Sequence, residues 1–289
     1  QWIWEHFSTN WELLCAQVTM RIDIHTHAFH PKIAHKAVAH LNAFYRVACV
    51  GDGTIAELLE SSARAGMDKC AVLCAATTPA QVIPANNHAI ALQRHYPDRV
   101  IAFGTLHPGY AKWEAELARL RAAGIRGIKL HPECQGFRLD DPRLLPILEA
   151  AQKHFVFLFH IGDKKPPASN PSCPYKLAAL LAALPGLRVI AAHFGGYRMW
   201  AHALLALTGR ICENLWVDTS STTPFATPQL VRKLLRAWPQ EKLLFGSDWP
   251  LYSPLEERLR LERMGGLSPD AVDRIMGNAA ALLAPCGTD

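Results

Sequence analysis

The sequence predicts an α/β fold of one particular kind, a single-domain (β/α)8 (TIM) barrel. Three observations carry that reading. Short apolar segments alternate with helix-patterned segments eight times along the 289 residues. The apolar segments are near-continuous runs such as FVFLFH and LRVIAAH, as strands buried on both faces of a parallel sheet require. The first of them, IDIHTHAFH, lacks the glycine-rich phosphate loop that a doubly wound open sheet usually carries.

Strand one is RIDIH at residues 21–25. A helix follows at 55–65, with apolar residues at three- and four-residue steps, and Gly66 ends it. Strand two is KCAVLCA at 69–75. Pro97 precedes strand three, VIAFGTL at 100–106. A helix at 113–123 stops at Gly124, and GIKLH at 127–131 is strand four. A helix at 144–153 leads into FVFLFH at 155–160. Another at 176–184 is broken by Pro185-Gly186 before RVIAAH at 188–193. LWVDTS at 215–220 is strand seven. The helix at 228–238 ends at Pro239, and KLLFGSD at 242–248 is strand eight. Right-handed crossovers of this kind, repeated eight times, close a barrel.

The barrel is expected to occupy residues 20–289, because Met20 opens MRIDIHTH as a natural start would. Residues 1–19 read either as an extension foreign to the native chain or as an arm that packs its Trp residues on the barrel or a neighbouring subunit. Half of the residues are apolar and 19% are charged, which provides for a substantial core. A net charge of +5 with no Lys/Arg run longer than two, Lys164-Lys165 for example, argues against a nucleic-acid groove. No apolar stretch reaches the ~18 residues of a membrane span. The eight cysteines show no CxxC knuckle. Cys70 and Cys74 read as buried apolar groups in a reducing cytoplasm, and Cys134 and Cys173 as bystander thiols in loops near the site.

The chemistry stands at the C-terminal ends of the strands, where barrel active sites form. Strand one ends in His25-Thr26-His27, and residues two apart on a strand face one side. Strand five ends in His160, strand six in His193 and strand eight in Asp248. Taken singly, each has an ordinary explanation: a satisfied core histidine, a helix-capping His193, an Asp248 that forms a turn. Taken together, four strands present ligand-type residues at one mouth. Imidazoles and a carboxylate suit zinc.

IDIHTH, FHIGD, AAHFGG and LLFGSDWP, with the stretch Ile275-Met276-Gly277-Asn278-Ala279-Ala280-Ala281-Leu282-Leu283, resemble the amidohydrolase superfamily. The similarity is to the amidohydrolase 2 branch, which contains aminocarboxymuconate-semialdehyde decarboxylase and its hydrolase relatives. It implies a barrel with a divalent ion held by His25, His27, His160 and Asp248. It further implies that His193 polarises substrate and that Asp248 doubles as the proton acceptor. Zinc is the expected metal, with manganese or another divalent ion as alternatives. One ion is favoured. In binuclear relatives a strand-four lysine is carboxylated and bridges two metals, and Lys129 in KLHP stands at the matching place; unmodified, it would bind an anionic substrate group.

His131, Gln135 and Arg138 are expected to contact substrate, with Lys164 and Lys165 as further cations that attract a carboxylate. The expected activity is hydrolysis of an amide, ester or lactone bond in a small carboxylated substrate. The alternative is non-oxidative decarboxylation of a small aromatic or muconate-like acid on the same metal site. A nuclease would carry an acidic strand-four ligand in place of Lys129, and a non-catalytic barrel would have lost a ligand. A cytoplasmic enzyme with no nucleic-acid or membrane partner completes the expectation, and the resemblance further implies a homodimer.

Overall fold

A computed structural model describes residues 20–210 and 213–284; the reading of residues 1–19 falls outside them. Among the described residues there are eight strands: β1 (Ile22–Thr26), β2 (Lys69–Leu73), β3 (Val100–Thr105), β4 (Gly127–Leu130), β5 (Val156–Phe159), β6 (Arg188–Ala191), β7 (Leu215–Asp218) and β8 (Leu243–Leu244). They lie in sequence order in one parallel sheet. The ends of the sheet meet: Ile24 N donates to Phe245 O at 2.9 Å, Asp248 N to His25 O at 2.8 Å and His27 N to Trp249 O at 2.7 Å. Those bonds close the barrel.

The helices are α1 (Ala34–Tyr45), α2 (Ile55–Arg64), α3 (Val82–His95), α4 (Trp113–Ala122), α5 (Leu144–Ala151), α6 (Pro174–Ala183), α7 (Trp200–Leu207), α8 (Pro228–Ala237), α9 (Pro254–Gly265) and α10 (Pro269–Leu283). A single helical turn, Pro132–Gln135, follows β4. Local chemistry starts the last three helices. Thr227, Ser253 and Ser268 each accept a backbone N–H with the side chain, and a proline stands in the first turn. The hydroxyl satisfies an orphan donor, and the proline gives up only an N–H that had no partner.

Val72, Ile128, Phe157, Val189 and Val217 pack outward with Leu58, Leu120, Leu177 and Leu234 of the helices. Leu158 is the register partner of Lys129 and shares its inward side; with Ala71, Leu73, Phe103 and Ile190 it belongs to a second buried cluster. Gly127 is required there, since a Cβ at that position would lie 2.3 Å from Phe103 Cε1. No helix among the described residues is long and apolar enough to cross a membrane.

Strands five to eight are shorter than the sequence pattern predicts. β6 ends at Ala191, so His193 lies beyond it, and β8 has two residues in place of seven. At β6 the reason is conformational: His193 and Phe194 have φ of 61° and 53°, outside the extended region a strand needs.

Candidate metal centre

The strand ends deliver the expected side chains to one mouth, where His25, His193 and Asp248 form one group and His160 lies in an adjoining group with His131 and Glu133. His25 and Asp248 approach at 3.4 Å (Nε2 to Oδ1), and His27 Nε2 lies 3.3 Å from the same oxygen. His25, His193 and Asp248 each offer a donor atom within 4.8 Å of the others. His160 joins through His193, with Nδ1 and Nε2 3.0 Å apart. Lys129 Nζ reaches into the cluster, 3.4 Å from His25 Nε2.

Backbone strain positions two of these groups. A left-handed non-glycine residue costs about 1–2 kcal/mol, and His193 and Asp248 both adopt that conformation. Hydrogen bonds hold them in it: His193 N donates to Asp218 Oδ1 at 3.0 Å, and Asp248 N to His25 O at 2.8 Å. Strain of this kind concentrates at functional sites.

The hydrogen bonds also assign the imidazole tautomers. His25 Nδ1 faces Asp218 Oδ2 at 2.9 Å, and His27 Nδ1 faces Leu73 O at 3.2 Å. His193 Nδ1 faces Ser220 O at 3.0 Å, and His160 Nε2 faces Gly162 O at 3.0 Å. Carboxylates and carbonyls only accept, so each of these nitrogens carries the hydrogen. In the neutral rings of His25, His160 and His193 the other nitrogen is then a lone pair, whereas both nitrogens of His27 face acceptors. His25 Nε2 and His27 Nε2 face Asp248, and His193 Nε2 and His160 Nδ1 face each other. Ligand histidines in metal sites are oriented by just such outer partners. The donor set therefore fits a divalent cation.

Electrostatics agree. Burial, reinforced by the Lys129 ammonium, lowers His25 to about 3. Burial likewise lowers His193, and burial, with His131 and Lys129 nearby, takes His160 well below its usual range. The rings are neutral, as ligands must be. Burial would raise Asp248 and Asp218, but the histidines outweigh it and hold both below the usual carboxylate range. Burial lowers Lys129 to about 8, against the pull of Asp248 and Asp218. Ser221 Oγ donates to Asp248 Oδ2, and Ser220 Oγ to Asp218 Oδ1.

The substrate-contact candidates separate. His131 stacks on His160, with centroids 3.9 Å apart and planes at 9°. Gln135 is a brace: its amide nitrogen donates to Ala76 O and Leu106 O, both at 2.8 Å, and its oxygen accepts the His131 N–H. Both of its N–H donors are engaged by the scaffold. Arg138 is exposed and forks onto Asp140 at 2.8 and 3.0 Å. Lys165 lies exposed, 3.9 Å from Asp163. Cys134 Sγ is 3.5 Å from His131 Nε2, and Cys173 is buried against Lys176.

Sequence reasoning missed Asp218, Ser220, Ser221, Tyr45 and Tyr197. Asp218 carries a usable signal, a carboxylate at the C-terminal end of strand seven in WVDTS. Tyr45 and Tyr197 carry none; they come from the loop side, and Tyr197 edges the His160 and His193 rings at 5.9 and 5.5 Å. A recess of about 580 Å³ is lined from the loops after β1, β7 and β8 and from α9, including Thr223, Tyr252, Arg260 and Arg263.

The sequence model of the amidohydrolase family matches residues 22–284. The chain belongs to that family. Solved structures share the amidohydrolase's barrel at low identity. A probable 2-pyrone-4,6-dicarboxylic acid hydrolase from Acinetobacter baumannii, with citric acid bound, is 19% identical over 91% of this chain and 99% of its own, with a TM-score of 0.64. A 2,6-dihydroxybenzoate decarboxylase from Rhizobium is 17% identical over 92% and 98%, with a TM-score of 0.64. A 5-carboxyvanillate decarboxylase from Novosphingobium aromaticivorans, complexed with manganese and 4-hydroxy-3-methoxy-5-nitrobenzoic acid, is 16% identical over 93% and 97%, with a TM-score of 0.68.

Proposed function

We propose that this amidohydrolase is a metal-dependent hydrolase that cleaves an amide, ester or lactone bond in a small carboxylated substrate. His25, His27, His160 and Asp248 would hold one divalent ion, zinc in the first instance. The observation that carries the reading is the grouping of His25, His193 and Asp248 with donor atoms within 4.8 Å of one another, His27 adjoining through Asp248 and His160 through His193. When bound, such an ion polarises water and the scissile carbonyl.

The chain's own groups account for the rest. Asp248 Oδ1, an ionised acceptor among the ligands, takes the proton that the attacking water loses. It passes that proton to the leaving group. His193, whose Nδ1–H is held by Ser220 O, presents its Nε2 lone pair, which can take up a proton at that atom. Lys129 holds a buried ammonium whose contact is a histidine nitrogen, and a substrate carboxylate would complete it.

One observation favours a second reading, non-oxidative decarboxylation of a small aromatic or muconate-like acid. His25, Lys129, His193 and Asp248 are all buried. A site that excludes water favours protonation of a carbon over attack by water.

Turnover of amide, ester, lactone and aromatic-acid panels in 18O-labelled water, with carbon dioxide measured in parallel, tests the proposal. Hydrolysis places one labelled oxygen in the product and releases no carbon dioxide. Carbon dioxide release without label in the product replaces the first reading with the second.

A further inference from the structure

We infer that Tyr45 is a substrate-orienting residue of this centre and that His131 is the positioning residue that aims it. The inference rests on the metal-site reading above and adds to it a hydrogen-bond donor on the loop side.

Tyr45 is the last residue of α1; the chain then turns through a left-handed Arg46. Its hydroxyl lies 3.0 Å from His131 Nε2. Its ring edges Tyr197 at 6.1 Å and 83°, and Tyr197 edges His160 and His193. The phenol thus stands in the aromatic wall over the centre.

His131 is fixed on three sides. Its backbone N–H donates to Gln135 Oε1 at 2.8 Å, and its ring lies flat on His160. Its Nδ1 accepts the Cys134 N–H at 3.4 Å, opening the helical turn. A nitrogen that accepts carries no hydrogen, so the ring hydrogen is on Nε2 and donates to the Tyr45 oxygen. Cys134 Sγ, at 3.5 Å from the same nitrogen, is the weaker acceptor. A second proton on the ring would go to Nδ1. There it would meet Glu133 Oε2, which is buried, without a hydrogen-bond partner and 3.5 Å away. The Nε2–H stays in place either way.

With its oxygen receiving the His131 hydrogen, Tyr45 has its own O–H to give. Among the described residues His131 is the one hydrogen-bond partner of that hydroxyl. Burial raises the phenol well above its usual range, so it remains a neutral donor. A donor of this kind fits a carboxylate or carbonyl oxygen of the bound substrate.

The test uses the zinc-loaded protein and benzoate as the carboxylate probe, with calorimetry for binding and elemental analysis for zinc. Tyr45→Phe is expected to keep the wild-type zinc content and to weaken benzoate binding about tenfold, the loss of one hydrogen bond to a charged acceptor. His131→Gln alone is expected to weaken it less. Adding His131→Gln to Tyr45→Phe should cost nothing further, since His131 acts through the phenol. Unchanged benzoate affinity in Tyr45→Phe, losses that multiply in the double variant, or a zinc-loaded wild type indifferent to benzoate would each overturn the inference. Should His131→Gln not fold, Tyr45→Phe decides alone. A wild type that retains no zinc sinks the metal reading itself, and the elemental analysis shows that separately.

Discussion

His193 Nε2 and His160 Nδ1 face each other across 3.0 Å, while backbone carbonyls of Ser220 and Gly162 hold the opposite nitrogens of the two rings. Two neutral lone pairs at that distance repel. A divalent ion held by His160 together with His25, His27 and Asp248 would relieve it by engaging the His160 lone pair. Removing bound metal with a chelator should therefore lower the melting temperature, and zinc should restore it. An ion present at about a hundred times its dissociation constant stabilises by about 2.7 kcal/mol. For a chain of this size that is a shift of roughly 5 °C or more, readable by scanning calorimetry.

Asp218 touches no lone pair, yet it orients one. Its carboxylate holds His25 Nδ1 at 2.9 Å and accepts the His193 N–H at 3.0 Å. Asp218→Asn keeps the volume and loses the charge. Zinc affinity should fall about 10- to 100-fold, the usual effect of removing an outer partner of a ligand histidine. Competition with a chromophoric chelator measures it, and a wild-type affinity would show that Asp218 is only scaffold.

Glu257 gives a pH dependence away from the centre. It is buried against Thr223 and Arg260. Burial outweighs both partners and raises its pKa to about 7. The folded protein thus binds this proton more tightly than the unfolded chain does, whose glutamates titrate near about 4.3. The contribution is complete below that value and is lost as pH rises to about 7, a change of up to about 4 kcal/mol. Glu257→Gln should flatten that part of the stability profile in denaturant titrations. An unaltered profile would place Glu257 as an ordinary ionised partner of Arg260.

Gly127→Ala tests the packing under the site. The added carbon would lie 2.3 Å from the Phe103 ring, which is fully buried. Overpacking of this kind costs about 1–3 kcal/mol. The variant should melt earlier with its zinc content unchanged.

The barrel was legible because parallel strands buried on both faces leave continuous apolar runs, and FVFLFH and LRVIAAH are such runs. Its ligand-type residues were legible because HTH, His160, His193 and Asp248 stand at the ends of those runs. The strand ends themselves were overextended. The sequence carries no mark that His193 and Asp248 take left-handed backbone, since tertiary hydrogen bonds impose it. Gln135 and Arg138 looked like polar groups near the mouth. Polarity does not say whether a side chain meets backbone, as Gln135 does, or a neighbouring carboxylate, as Arg138 does. Tyr45 reaches the centre from the end of a helix 86 residues before His131, a contact that no local pattern encodes.

The most direct measurement is the metal content of protein purified without chelators, with bicarbonate added and withheld, in the wild type and in His25→Ala. One divalent ion per wild-type chain in both conditions, and its loss in His25→Ala, is the predicted result. Two ions with bicarbonate would make Lys129 a carboxylated bridge and His193 a ligand. No retained ion in the wild type would contradict the account at its centre.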